Sequence, residues 1–198
     1  MTEGLWTAVI GVAGTLLGTA LGWFLNVFAN KGKLKFYVTS WENEFEKNEM
    51  GEMVPATSTN DVECYAYKCF LDIYNSSNET KIMRDIQVVF SDGKNEWNSA
   101  VPKDYNTRHG THVNLYDDIL PMNISPKTIC KVVLYNYWWT SENDLEFLWK
   151  SNVVFLRYVD GNNKERKIEI NKEKFSEYFS KPQVGGQCYA RTNSRNDR

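Results

Sequence analysis

The sequence predicts a mainly β protein, in which a single N-terminal transmembrane helix precedes an antiparallel immunoglobulin-like β-sandwich with a short C-terminal helix. Three observations lead to this prediction. The chain begins with a long apolar stretch, its remainder alternates short β-branched and aromatic runs with turn residues, and aromatic residues make up 14% of the whole. Aromatic and β-branched side chains fit the pleated, half-buried surface of a sheet.

The length of 198 residues is that of one domain with an appendage. We divide it into an N-terminal segment (1–4), a transmembrane helix (5–28), a sandwich (33–180) and a disordered, polar tail (181–198). The net charge is −2 and the pI is about 5.8. No global basic field would therefore attract nucleic acid, and we expect no nucleic-acid partner.

Residues 5–28 contain no charged side chain. As a helix they would be about 36 Å long, which exceeds the roughly 30 Å hydrocarbon core of a bilayer. Trp6 and Trp23 lie near the two ends, where interfacial tryptophans anchor a membrane helix. A cleaved signal peptide is the alternative, but the chain begins without Lys or Arg and lacks a clear small-x-small cleavage motif. We expect an uncleaved span in contact with the lipid bilayer.

The flanking charges predict the orientation. Glu3 precedes the helix, whereas three lysines follow it: Lys31, Lys33 and Lys35. The positive-inside bias then places the sandwich in the cytoplasm and the N-terminus outside, as a single-pass protein of the cell membrane. Three N-x-S/T triplets oppose this orientation, but a chain rich in Asn and Ser contains such triplets by chance: Asn75, Asn78 and Asn123.

Small residues form a stripe along the apolar helix. Gly14, Gly18 and Gly22 follow a GxxxGxxxG spacing, and the same face also carries Gly4, Ala8, Gly11 and Thr15. Small residues allow two helix backbones to approach closely in lipid. Glycine is also simply common in membrane helices, but the stripe favours helix–helix packing at Gly11, Gly14, Gly18 and Gly22. The expected partner is a second copy of the chain or another membrane helix.

Periodicity predicts seven or eight strands in the sandwich. The predicted strands are 34–41, 62–74, 82–90, 97–101, 112–116, 128–139, 152–159 and 164–170. The segment 42–60 is polar and acidic and is predicted to be a long loop. Asp160-Gly161-Asn162-Asn163 is the clearest hairpin turn, and Asn171 can cap a short helix over 172–179.

No residue pattern indicates catalysis, a cofactor or a metal. His109 and His112 lie together, but a zinc site needs a further ligand, for which only Asp104, Asp117 and Asp118 are near in sequence. Cys64 and Cys69 point to opposite faces of one strand, and no CxxC spacing occurs. We therefore predict no catalytic residues, no cofactor and no enzymatic activity.

One aromatic cluster is a candidate partner surface: Tyr135, Tyr137, Trp138 and Trp139. On a strand, Trp138 lies on the face opposite to the other three residues, so that one face lines the core and the other can be exposed. Alternatively, residues 145–149 fold back and cover the cluster.

These features predict a membrane-anchored interaction or scaffolding module that binds an unknown protein partner. The alternative is a membrane-associated sensor or effector, of a stress or phage-defence type, that acts through its helix. The sandwich pattern alone does not decide between them, because one fold supports many functions.

Overall fold

The computed structural model describes residues 2–29, 32–111 and 114–180, which form an N-terminal helix and a two-sheet sandwich. The predicted tail (181–198) with Cys188 lies outside the described residues, as do Lys31 and His112. The helix, α1, spans Thr2–Ala29. Its segment Trp6–Val27 is long and apolar enough to cross a membrane, and none of it is buried against the sandwich. A helix of this kind could span a membrane or act as a signal sequence.

Two antiparallel sheets make up the sandwich. The strands of the described chain are β1 Leu34–Glu49, β2 Glu52–Pro55, β3 Cys64–Asn75, β4 Lys81–Ser91, β5 Glu96–Ala100, β6 Lys103–Asp104, β7 Met122–Ile124, β8 Ile129–Trp139, β9 Val153–Asp160 and β10 Glu165–Asn171. The first sheet has the order β2-β1-β3-β8-β6, and the second has β10-β9-β4-β5 with β7 paired to β4. A short helix, α2, spans Glu146–Lys150. The predicted mainly β sandwich is confirmed.

The segment 42–60, predicted as a loop, is largely strand. β1 continues to Glu49 and pairs with β3 in one long antiparallel ladder, and a turn at Met50 and Gly51 leads into β2. The loop prediction was wrong because the acidic side chains of this segment alternate along a strand with side chains that face the core. Phe45 lies in the core with 5% of its surface exposed, while Glu44 and Glu46 point outward. A strand with one solvated face needs an apolar side chain only at every second position.

Aromatic side chains from both sheets meet in the core around Phe90. Its ring lies 5.7 Å from that of Trp138, 5.3 Å from Phe147 and 5.8 Å from Phe175. The predicted alternation of β3 is confirmed, because one face buries every second residue: Tyr65, Tyr67, Cys69, Leu71 and Ile73. Each favourable aromatic pair adds about 0.5–1.5 kcal/mol beyond area burial, so this cluster fixes how the sheets pack.

Two weaker predictions differ from the structure. Of the expected strand at 112–116, the described residues form only an isolated bridge between Leu115 and His109. The expected C-terminal helix is a 3-10 helix at Phe175–Ser180, shorter than predicted, whose Phe175 is completely buried. The β9–β10 hairpin forms around the predicted Asp-Gly-Asn-Asn turn, in which Asn163 adopts a positive φ of 59°.

Candidate interaction surface

A row of four tyrosines lies on the outward side of the first sheet. Tyr135 and Tyr137 come from the outward positions of β8, while Tyr105 and Tyr116 come from the segment between β6 and β7. The ring centroids are 5.2 Å apart for Tyr105 and Tyr116, 4.8 Å for Tyr116 and Tyr135, and 6.0 Å for Tyr135 and Tyr137. We call these four residues the tyrosine ladder.

Two tyrosines of the ladder are partly buried, and a cation lies at one end of the row. Burial raises the pKa of Tyr135 and of Tyr116, so both phenols stay protonated at physiological pH. The Lys68 ammonium lies 5.2 Å from the centre of the Tyr105 ring and 2.6 Å from a carboxylate oxygen of Glu44. Of the four, Tyr137 is exposed and the others are half-buried. Tyrosines at a surface combine apolar area with a hydrogen-bonding hydroxyl, which is the composition that protein interfaces favour.

Trp138 does not belong to this surface, although the sequence places it in the same cluster. Only 7% of it is exposed, and its ring packs 5.4 Å from Phe147 in α2. Residues 145–149 therefore cover the inward tryptophan, whereas Tyr105 and Tyr116 partly cover Tyr135. Trp139 stays on the outward side, paired in register with Cys64. Trp138 and Trp139 differ because successive side chains of a strand point to opposite faces, so that β8 has one core face and one outer face.

The glycine stripe of α1 is open along its length. A Cβ placed on Gly11, Gly14, Gly18 or Gly22 would meet no atom within 4 Å. No described part of this chain therefore requires glycine at these positions. The hydroxyl of Thr15 donates to the Gly11 carbonyl at 2.9 Å, so this polar group is satisfied inside the helix.

The junction between helix and sandwich is held by contacts that the sequence did not indicate. The Lys33 N–H donates to Ser76 Oγ at 2.9 Å, and the Ser76 N–H donates to the Lys33 carbonyl at 3.2 Å. A Cβ on Gly32 would lie 2.4 Å from the backbone of Ser77, so only glycine permits this close approach. Gly32 and Lys33 are thus fixed to the β3–β4 turn.

Asn75 organises that turn from inside the protein. It is completely buried, and its amide nitrogen donates to the carbonyls of Glu79 at 2.7 Å and Ile124 at 2.9 Å. Its side-chain oxygen accepts from the N–H of Ser77 at 3.0 Å and from the Ser77 hydroxyl at 2.7 Å. The Asn75 amide group therefore has a structural role, because both its nitrogen and its oxygen are used in hydrogen bonds within the sandwich.

The remaining candidate groups are isolated from one another. His109 is exposed, with Nδ1 at 3.0 Å from the Thr107 carbonyl oxygen, and the described residues contain no group of three side chains suited to a metal ion. Cys64 and Cys69 are buried free thiols. Burial raises the pKa of each to about 12, so both remain protonated at neutral pH.

Known proteins are similar to this chain in sequence. The sequence model of a family described as YopI Ig-like domain matches residues 32–192. The SPbeta prophage-derived uncharacterized protein YopI of Bacillus subtilis (strain 168) is 25% identical over 172 residues, covering 84% of this chain and 91% of that protein.

Two solved structures also align with the chain. An uncharacterized β-sandwich protein from Clostridium difficile aligns with 72% of this chain and 91% of its own, at 15% identity and a TM-score of 0.31. A Bordetella pertussis protein provisionally named ApaA aligns with 71% of this chain and 90% of its own, at 12% identity and a TM-score of 0.34.

Proposed function

The chain belongs to the YopI Ig-like domain family, and from this premise we propose that it is a membrane-anchored interaction module. In this proposal α1 spans the membrane and the sandwich binds a protein partner at the membrane surface. The observation that carries the proposal is the apolar segment Trp6–Val27, none of which is buried against the sandwich. So long an apolar surface is stable when lipid covers it.

The short connection supports a position of the sandwich against the bilayer. Between Val27 and Lys33 the chain spans at most about 20 Å even when fully extended. At Lys33 the backbone is already hydrogen-bonded to Ser76 of the sandwich. The membrane-facing end is therefore the one that carries the β3–β4 turn, and the lysines that follow the helix favour the cytoplasmic side.

The open glycine stripe supports self-association through α1, or association with another membrane helix. Because lipid chains and leucine are equally apolar, such helices associate through close backbone packing. The tyrosine ladder supports an interaction role, because it offers aromatic and hydroxyl contacts. The buried thiols, in contrast, are poor nucleophiles.

Crosslinking in isolated membranes tests the proposal. The full-length chain is expressed as wild type, as Gly18→Leu and as the matched control Leu17→Ile, which lies off the stripe. An amine-reactive crosslinker is expected to join copies of the wild type and of the control. Gly18→Leu is expected to lose most of this product while it stays in the membrane fraction, because leucine favours insertion but separates the backbones.

Two results would contradict the proposal. Equal crosslinking of Gly18→Leu and Leu17→Ile would mean that the glycines do not mediate association. Recovery of the wild-type chain in the soluble fraction would mean that α1 does not anchor it.

A further inference from the structure

A groove of about 560 Å³ opens in the sandwich beside the helix junction, between the start of β1 and the β9–β10 hairpin. Both sheets contribute to its lining, since β1 belongs to the first sheet and β4, β9 and β10 to the second. Apolar side chains line part of it: Leu34, Ile82, Tyr158 and Ile168. Four cationic side chains also line it: Lys33, Lys81, Arg166 and Lys167. The groove thus combines apolar surface with positive charge.

The charges of the groove leave a positive excess. Its two carboxylates are each paired with a lining cation, Glu79 with Lys81 at 3.8 Å and Asp160 with Arg166 at 2.9 Å. A third lining cation, Lys167, is paired with Glu96 at 2.9 Å, a residue outside the groove lining, so the excess rests on the fourth. Lys33 forms no ion pair with any residue in the described ranges. Lys33, the groove cation nearest to the helix along the chain, is therefore available to an anion from outside the protein.

Asp160 holds the wall of the groove in place. Burial alone would raise the pKa of the Asp160 carboxyl. Hydrogen bonds from the Lys164 N–H, the Arg166 guanidinium and the Asn162 N–H outweigh this effect, so that the pKa is lowered. The carboxylate is thus satisfied within its own hairpin turn. Among the lining cations Asp160 pairs with Arg166, and it forms no ion pair with Lys33 or Lys81 in the described part of the chain.

The position of the groove selects the kind of anion. Lys33 lies within about 20 Å of the end of the apolar segment along the chain, and each headgroup layer is about 5–8 Å thick. The electrostatic field of anionic lipids decays over about 8 Å at physiological ionic strength, and Lys33 lies at most about 15 Å beyond the headgroup layer, which is within about two decay lengths. Apolar lining suits the glycerol and first acyl carbons of a lipid, which a free phosphate lacks.

We infer that this groove binds the headgroup phosphate of an anionic phospholipid, with Lys33 and Lys81 as its charged contacts and Leu34 and Ile168 against the glycerol. The inference rests on the proposed membrane anchoring. A bound lipid would hold the sandwich in a fixed orientation on the bilayer, in addition to the covalent connection through α1.

Native mass spectrometry of the full-length chain tests the inference. The protein is reconstituted in nanodiscs with equal amounts of phosphatidylglycerol and phosphatidylcholine, and the lipids retained on release are counted. Wild type is expected to retain phosphatidylglycerol preferentially. Lys81→Gln is expected to weaken retention about fivefold, the effect of one basic residue at a membrane surface. Lys94→Gln, in the β4–β5 turn at the opposite end of the sandwich, is the matched control and is expected to match wild type.

A second variant fills the groove without changing its charge. A Cβ on Gly161 would lie 3.9 Å from Ile82 Cβ, an ordinary contact, so Gly161→Leu can place its side chain in the groove. It is expected to lose phosphatidylglycerol retention. Unchanged retention in Gly161→Leu would overturn the groove as the site and leave only general surface attraction.

Two further measurements separate the possible failures. Titration with inorganic phosphate in detergent is expected to show no saturable binding; saturable binding that Gly161→Leu abolishes would assign the groove to free phosphate and overturn the lipid. Alkaline extraction of each variant reports membrane integration independently. A chain that is integrated but retains both lipids equally contradicts this inference alone, whereas a chain that is not integrated contradicts the proposed function as well.

Discussion

Replacement of Asn75 by alanine should destabilise the sandwich strongly. The variant removes four hydrogen bonds at a completely buried position and leaves the carbonyls of Glu79 and Ile124 without these donors. At about 1 kcal/mol net per hydrogen bond, the expected loss is roughly 3–4 kcal/mol in the free energy of unfolding. That is a large fraction of the 5–15 kcal/mol by which domains are typically stable.

Urea unfolding of the full-length chain in a nonionic detergent measures this loss. Near-UV circular dichroism follows the aromatic core and is insensitive to a detergent-bound helix that keeps its structure. Asn78→Ala is the matched control, because Asn78 lies in the same turn and is exposed; it is expected to change the free energy by less than about 0.5 kcal/mol. Asn75→Asp keeps the size of the side chain but removes the two donated hydrogen bonds, so it should also be destabilised.

Unfolding of Asn75→Ala at the same urea concentration as Asn78→Ala would contradict this role of Asn75. In that case the four hydrogen bonds would contribute no more than the bonds to water that replace them, and Asn75 would not organise the turn.

Three other predictions concern the core, the surface charges and the thiols. Trp138→Ala should cost about 3–5 kcal/mol in the same unfolding assay, because it empties a packed aromatic site; a cost below 1 kcal/mol would contradict its core position. The pKa of Glu96 is lowered by a hydrogen bond from one lysine and by a nearby arginine, so its stabilising contribution is present above pH 4 or so and is lost as the pH falls through its folded pKa. Glu96→Gln should therefore flatten the acid side of the stability profile, and an unchanged profile would refute this. Cys64 and Cys69 should resist maleimide at pH 7 until urea unfolds the sandwich, since burial keeps both thiols protonated; rapid labelling of the folded protein would contradict their burial.

Overexpression separates the interaction module from the alternative effector. The interaction module is expected to leave cell growth unchanged. Toxicity that Gly18→Leu abolishes, but Leu17→Ile does not, would favour an effector that acts through its helix.

The sequence predicted the features that depend on local pattern. The alternation of β3, the turn of the β9–β10 hairpin and the burial of Phe175 follow from side-chain period and turn residues, and the structure confirms them. β1 was predicted too short, because a strand with an acidic outer face resembles a solvated loop in composition. Strand alternation also predicted that Trp138 lies on the face of β8 opposite to Tyr135, Tyr137 and Trp139. It did not predict which of the two faces lines the core, because that depends on the packing of Trp138 against Phe147.

The long-range contacts could not be predicted from one sequence. Tyr105 meets Tyr135 only because β6 pairs with β8, and nothing local in either segment encodes that pairing. Asn75 appears in sequence as one of several turn asparagines, and its importance comes from the distant Ile124 carbonyl. The groove beside the junction has the same origin, since its walls are brought together from both sheets.

Membrane integration of the unprocessed chain is the measurement that tests the account most directly. Membranes from cells that express the full-length protein are extracted with alkaline carbonate, and the intact mass of the protein is determined in both fractions. If α1 anchors the chain, the unprocessed 198-residue protein is expected in the carbonate-resistant pellet. A soluble protein whose mass shows removal of the N-terminal helix would identify that helix as a signal sequence and contradict the account.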